Sequence, residues 1–170
     1  MRQLYVPSKM AYVKGDRPDV ECILCAVCAK DPKVSKLEVY RTRRWVVMAN
    51  LHPYNAGHIM LVPIRHVTDV RQLRKTEAMD LQSLQNLCLD VLDAAYEPVA
   101  YNVGFNIGRQ AGASIEHLHL HVVPRYPNEA GFMDILSDTR TIVESPTETV
   151  RKLARYFEKF SRKKPVRKRL

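Results

Sequence analysis

The sequence predicts an α+β domain on a mostly antiparallel sheet of about five strands. Three observations lead there. Short runs rich in β-branched and apolar residues are bounded by Pro, Gly and Asn clusters. Two longer segments place apolar residues at helical spacing, and they sit among hairpin-linked strands instead of alternating with them. The 170 residues fit one domain with a real core. Hydrophobic content of 46% and charged content of 26% are ordinary for a globular protein. No apolar run reaches the roughly 20 residues of a membrane span. Met1 to Pro7 holds no apolar leader core. The expectation is a cytoplasmic chain with no membrane partner.

The first two strands are predicted at Leu37 to Arg41 and Arg44 to Asn50, joined through Thr42-Arg43. A turn-rich loop, Pro53 to Gly57, leads to a third strand at His58 to Val62, closed by Pro63. A long helix follows from about Glu77 to Tyr96. Thr76 is its expected N-cap, and Leu81, Leu84, Cys88, Val91 and Ala95 recur at helical spacing. Pro98 stops it. Tyr101 to Ile107 and His117 to Val123 read as the last two strands, the latter ended by Pro124. Ser145-Pro146-Thr147-Glu148 is a capping box opening a second helix, with Val150, Leu153, Ala154 and Phe157 on one face. Residues 1–158 make the domain and 159–170 a basic tail.

The net charge is +9, crowded toward that tail at Lys159, Arg162, Lys163, Lys164, Arg167, Lys168 and Arg169. Such a cluster is either a solvated terminus or a surface for nucleic acid or another polyanion. Cys22, Cys25 and Cys28 crowd into one short segment, too close together for the disulfide framework of a secreted domain. In a cytosolic chain a C-x-x-C points to metal or redox chemistry. Cys88 falls on the apolar stripe of the long helix and is expected in the core.

The chemistry concentrates in His117-Leu118-His119-Leu120-His121. In a strand, alternate residues share a face, so the histidines point one way and the leucines the other. A rise of about 3.3 Å per residue separates the outer histidines by roughly 13 Å, too far for one metal to join them. Neighbouring histidines can instead cooperate on one substrate. A neutral imidazole is a competent nucleophile near pH 7, and a phosphoryl centre suits it, because attack gives a covalent phosphohistidine. Gly104 to Ser114 lies just upstream and offers small residues, backbone N–H groups and side-chain donors for phosphate oxygens.

His117-x-His119-x-His121-Val122-Val123-Pro124-Arg125 resembles the signature of the histidine triad (HIT) family of nucleotide hydrolases and transferases. Asn50 to His66 resembles the family's upstream strand-loop-strand. Leu4 to Tyr12 and Gly131 to Arg140 are similar to its short diadenosine tetraphosphate phosphorylases (ATP adenylyltransferases). The likeness covers about residues 3–158, leaving out the tail. It implies a HIT-like fold, a homodimer, and cleavage of dinucleoside polyphosphates through a nucleotidyl-histidine. Inorganic phosphate would be the second acceptor in a phosphorylase, the reading the subgroup favours, and water in a hydrolase.

By position, the resemblance makes His119 the nucleophile and His121 a phosphate contact, with the His117 main chain orienting the His119 ring. Asn50 matches the ribose position. Asn106 and Ser114, with Gly112 and Ala113 between them, match positions near the phosphates and leaving group. Ala113 stands where many dinucleoside polyphosphate hydrolases of the family have Gln, which argues against a simple diadenosine triphosphate hydrolase of that type. A nucleoside phosphoramidase is the rival enzyme reading. Some members carry a structural zinc; here its ligands would be Cys22, Cys25, His66 and His117. His52 is expected at the rim of the nucleotide pocket, and His58 as a packing or hydrogen-bonding residue at a strand start.

Overall fold

The computed structural model describes residues 18–127 and 144–162. The subgroup-like segments at Leu4 to Tyr12 and Gly131 to Arg140 lie outside them, as does the tail beyond Arg162. Three α-helices are described: α1 (Ile23–Ala29), α2 (Lys75–Tyr96) and α3 (Pro146–Arg162). The strands are β1 (Glu38–Arg41), β2 (Trp45–Ala49), β3 (Ile59–Pro63), β4 (Ala100–Phe105) and β5 (Leu120–Arg125). They form one antiparallel sheet of five strands, as the sequence predicts, in the order β1-β2-β3-β5-β4.

Alternation along the strands divides the core in two. Trp45, Val47, Ile59, Leu61, Leu120 and Val122 pack against Leu84, Cys88, Val91 and Leu92 of α2 and Leu153 and Phe157 of α3. The opposite face carries Val46, Met48, Met60 and Val62, covered by Leu24 and Val27 of α1 with Val34 and Leu37. Met60 pairs in register with both Met48 and His121, so His121 stands on the α1 face. Each large apolar side chain buried this way contributes about 1.5–3 kcal/mol relative to exposure.

Turn and cap chemistry explains the connections. The Thr42 hydroxyl accepts from the N–H groups of Arg44 (3.3 Å) and Trp45 (3.0 Å), closing the β1-β2 hairpin. Ser145 and Glu148 exchange their expected capping bonds at the start of α3, at 2.9 and 3.3 Å. Cys88 is fully buried, as expected.

Four expectations are corrected. α1 is a helix that the cysteine-rich segment did not announce. α2 begins at Lys75, so Thr76 lies inside its first turn; the Arg74 N–H is capped instead by the Glu77 carboxylate at 2.8 Å. Pro63 and Pro124 belong to the ends of β3 and β5 and do not stop them short. Most consequentially, β5 starts at Leu120 and not at His117. The Leu118 N–H donates to the Val67 carbonyl at 2.6 Å, which draws residues 117–119 off the ladder.

Candidate active site

That departure from the ladder splits the histidine row. His117 turns toward α1, where it meets both cysteines of the C-x-x-C and His66. Its Nδ1 lies 3.4 Å from the Sγ atoms of Cys22 and Cys25, and the Nδ1 of His66 lies 3.2 Å from Cys25 Sγ. All four donor atoms fall within 4.8 Å of one another.

The set fits a tetrahedral zinc. Metal bonds of about 2.3 Å to sulfur and 2.1 Å to nitrogen imply S···N edges of about 3.6 Å. His117 Nε2–H donates to the Pro63 carbonyl at 2.9 Å, which leaves Nδ1 with its lone pair toward the cluster. Burial pushes the Cys25 thiol up to about 12, and neighbouring Cys22 pushes the same way. The Cys25 thiol therefore gives up its proton only with a cation beside it. Cys28 takes no part: it is buried, with its thiol 3.9 Å from the Pro63 carbonyl.

His119 and His121 form the other half, with ring centroids 4.8 Å apart and edge to face. His119 Nδ1–H donates to the His117 carbonyl at 2.6 Å. That bond places the proton on Nδ1 and leaves the Nε2 lone pair free. Burial lowers the His119 pKa below the ordinary imidazole value, against the opposing effect of this bond, so the ring is neutral at pH 7.

His58 completes the group. The Tyr54 N–H donates to its Nδ1 at 3.0 Å, so a neutral His58 carries its proton on Nε2. That nitrogen faces His121 Nδ1 at 3.0 Å. This network leaves His121 with its proton on Nε2, a buried atom with no partner among the described residues. Burial first and neighbouring histidines second lower His58 to about 3 and His121 to about 4. Asn50 closes the same corner, its Oδ1 accepting from the His52 N–H at 2.9 Å and its Nδ2 lying 3.2 Å from His58 Nε2.

A cavity of about 240 Å³ opens onto His119 and His121. Asn50, His52, Asn106, Gly112 and Ser114 line its polar part, and Ile23, Leu24, Val27, Met48 and Met60 its apolar part. Ala113 is not among the lining residues; its N–H turns back to the Gly108 carbonyl at 3.3 Å. Gly112 sits at φ +90°, where a side chain would strain the turn that brings Ser114 to the cavity.

Sequence reasoning missed several supporting residues. Tyr54 stacks on His58 at 5.0 Å between ring centroids, and no periodicity marks it. Glu77 is buried, accepts from Arg65 Nε at 3.0 Å and Nη2 at 2.7 Å, and so clamps the segment that presents His66. An Arg next to a predicted ligand, followed by Glu in the first turn of the next helix, was the available signal.

The fold and site define an α+β protein that offers a neutral imidazole beside a second, half-buried histidine at the mouth of a part-apolar cavity. The chain belongs to the histidine triad family, since residues 32–128 match the HIT domain. It is 34% identical over 163 residues to an AP-4-A phosphorylase of Mycobacterium tuberculosis, spanning 91% of this chain and 83% of that protein. A Schizosaccharomyces pombe bis(5'-nucleosyl)-tetraphosphatase (asymmetrical) is 31% identical over 86 residues, 51% of this chain and 47% of that one. A Zn-bound histidine triad family protein from Mycobacterium smegmatis shares the fold, with TM-score 0.69 and 20% identity over 84% of this chain and 96% of that one.

Proposed function

We propose that this HIT enzyme cleaves dinucleoside polyphosphates such as diadenosine tetraphosphate by phosphorolysis, through a covalent nucleotidyl-His119 intermediate. The observation that carries it is the His119 tautomer. With Nδ1–H bonded to the His117 carbonyl at 2.6 Å, only Nε2 is available for attack. His119 Nε2 forms a bond to the α-phosphorus while the bond to the leaving nucleoside polyphosphate breaks. The positive charge gained by the ring is stabilised through the Nδ1–H bond. His121 Nε2–H donates to a phosphate oxygen. Inorganic phosphate then displaces His119, so diadenosine tetraphosphate and phosphate give ATP and ADP.

Asn50 serves the ribose, and the apolar wall beyond it the base. Asn106, Ser114 and the turn at Gly112 serve the phosphates and leaving group. Zinc held by Cys22, Cys25, His66 and His117 would be structural, with all four tetrahedral positions filled by protein. It would tie α1 to the segment that carries His119. We place the enzyme in the cytoplasm, where such thiols stay reduced. A homodimer has a candidate surface in the edge strand β4, which exposes Val103, with Val99 and Ile107 exposed on either side of it.

Product analysis with diadenosine tetraphosphate tests the reaction. ATP plus ADP, formed only when phosphate is present, is the expected result. AMP plus ATP in its absence would show hydrolysis and overturn phosphorolysis.

A further inference from the structure

The charge of this protein is placed as unevenly as its histidines. Residues 151–170 hold ten Lys or Arg against the single acid Glu158, a net +9 equal to that of the whole chain. The preceding 150 residues are therefore balanced. A generally basic surface does not explain that distribution.

The described part of this segment is the second half of α3. Arg155, Lys159 and Arg162 are exposed at successive helical turns, and none enters an ion pair among the described residues. Arg151 starts the same stripe beside Glu148, while Lys152 lies over the Tyr96 ring at 3.7 Å. From Arg151 to Arg162 the stripe is about 16 Å long at 1.5 Å per residue, the length of roughly five nucleotide steps at ~3.4 Å.

Two blander explanations fall short. Cations in a last turn favour a helix C-terminus, which accounts for Lys159 and Arg162 but not for Arg151, Arg155 or the residues beyond the helix. Neutralisation by α2 fails too. That helix carries Glu77, Asp80, Asp90 and Asp93 against Lys75, yet no ion pair among the described residues joins the two helices. A membrane-surface helix would need a free apolar face, and the apolar residues Leu153 and Phe157 are buried against the sheet.

We propose that the outer face of α3, from Arg151 to Arg162, binds the phosphodiester backbone of nucleic acid without sequence preference. α3 covers the face of the sheet opposite His121, so this surface is separate from the nucleotide cavity and goes beyond the catalytic reading. The bound chain would hold the enzyme at a polynucleotide while leaving the cavity open.

Fluorescence anisotropy with labelled duplex DNA tests this on the full chain across a salt series. Wild type should bind, with affinity falling steeply as salt rises. The triple variant Arg155→Gln/Lys159→Gln/Arg162→Gln should bind at least about tenfold more weakly near 100 mM salt, with a log–log salt slope shallower by about 2–3. Its turnover of diadenosine tetraphosphate should match wild type, which separates failure of this proposal from failure of the catalytic one. If the triple variant melts early, Arg155→Gln alone should still lower the slope by about one. The charge-conserving variant Arg155→Lys/Lys159→Arg/Arg162→Lys should keep full affinity. The proposal is overturned if wild type does not bind the duplex. It is equally overturned if the neutral variants keep wild-type affinity and slope, or if phosphatidylserine vesicles retain the protein while the duplex does not.

Discussion

His117 and His121 flank His119 symmetrically in sequence, yet they serve opposite ends of the site. At one end His117 is packed into a cluster of thiols and a second imidazole, its Nε2 fixed by a main-chain carbonyl. At the other, His121 is held by His58, and its Nε2 at the cavity has no partner among the described residues. The cluster end has every donor turned inward, the arrangement that suits a structural ion. The cavity end has a lone pair and a proton turned outward, which suits a reacting phosphate. A row of identical residues thus acquires distinct roles from main-chain contacts.

The largest expected effects break this contrast at its centre. His119→Ala should lower turnover by about three orders of magnitude or more. Its fold and metal content should stay as in wild type, by circular dichroism and atomic absorption. Residual turnover near wild type would refute the nucleophile assignment. Cys25→Ser attacks the other end. Metal stoichiometry should drop from near one per chain toward zero, with about 4 kcal/mol lost from stability at zinc a thousandfold above its Kd. Unchanged zinc content would remove the cluster from the metal-binding assignment.

The cavity end should also show itself against pH. His58 is lowered to about 3 and His121 to about 4, chiefly by burial, from an ordinary value of 6.5. Because the unfolded chain takes up these protons first, stability present above pH 6.5 is lost as pH falls toward 4 and then 3. The melting midpoint should fall steadily over that window, and His58→Phe should flatten the slope. A midpoint independent of pH between about 7 and 5 would contradict the buried neutral pair.

Much of this was legible in the residues. The five strands, both longer helices and the capping box at Ser145 follow from periodicity and turn chemistry, because those signals are local. The four-residue metal-type cluster followed from family resemblance. Its assembly depends on contacts more than 40 residues apart that no spacing rule encodes, such as Cys25 with His66 and with His117. Strand periodicity misplaced the start of β5 because Leu118 bonds to Val67 instead of to a neighbouring strand. α1 escaped notice for a similar reason: a seven-residue helix is too short to develop a period of its own and is held by packing against the sheet.

The smallest expected effect sharpens the contrast at the metal end, where Glu77 clamps Arg65 beside His66. The Arg65 guanidinium holds the Glu77 carboxyl down at about 2, against the opposing effect of burial. A carboxylate depressed in the folded state contributes its full stability above its unfolded value of 4.5 and loses it as pH falls through about 2. Glu77→Gln should therefore cost about 1–2 kcal/mol at neutral pH, at the modest end because solvent reaches Arg65. The difference from wild type, measured by urea unfolding, should narrow at pH 3. Zinc affinity should fall with it, since His66 loses the anchor of its neighbour, while the Kd of the nucleotide at the cavity should hold. An equal gap at both pH values would show that packing, and not charge, makes Glu77 useful. A nucleotide Kd that rises alongside the zinc Kd would show that the two ends of the histidine row are not independent.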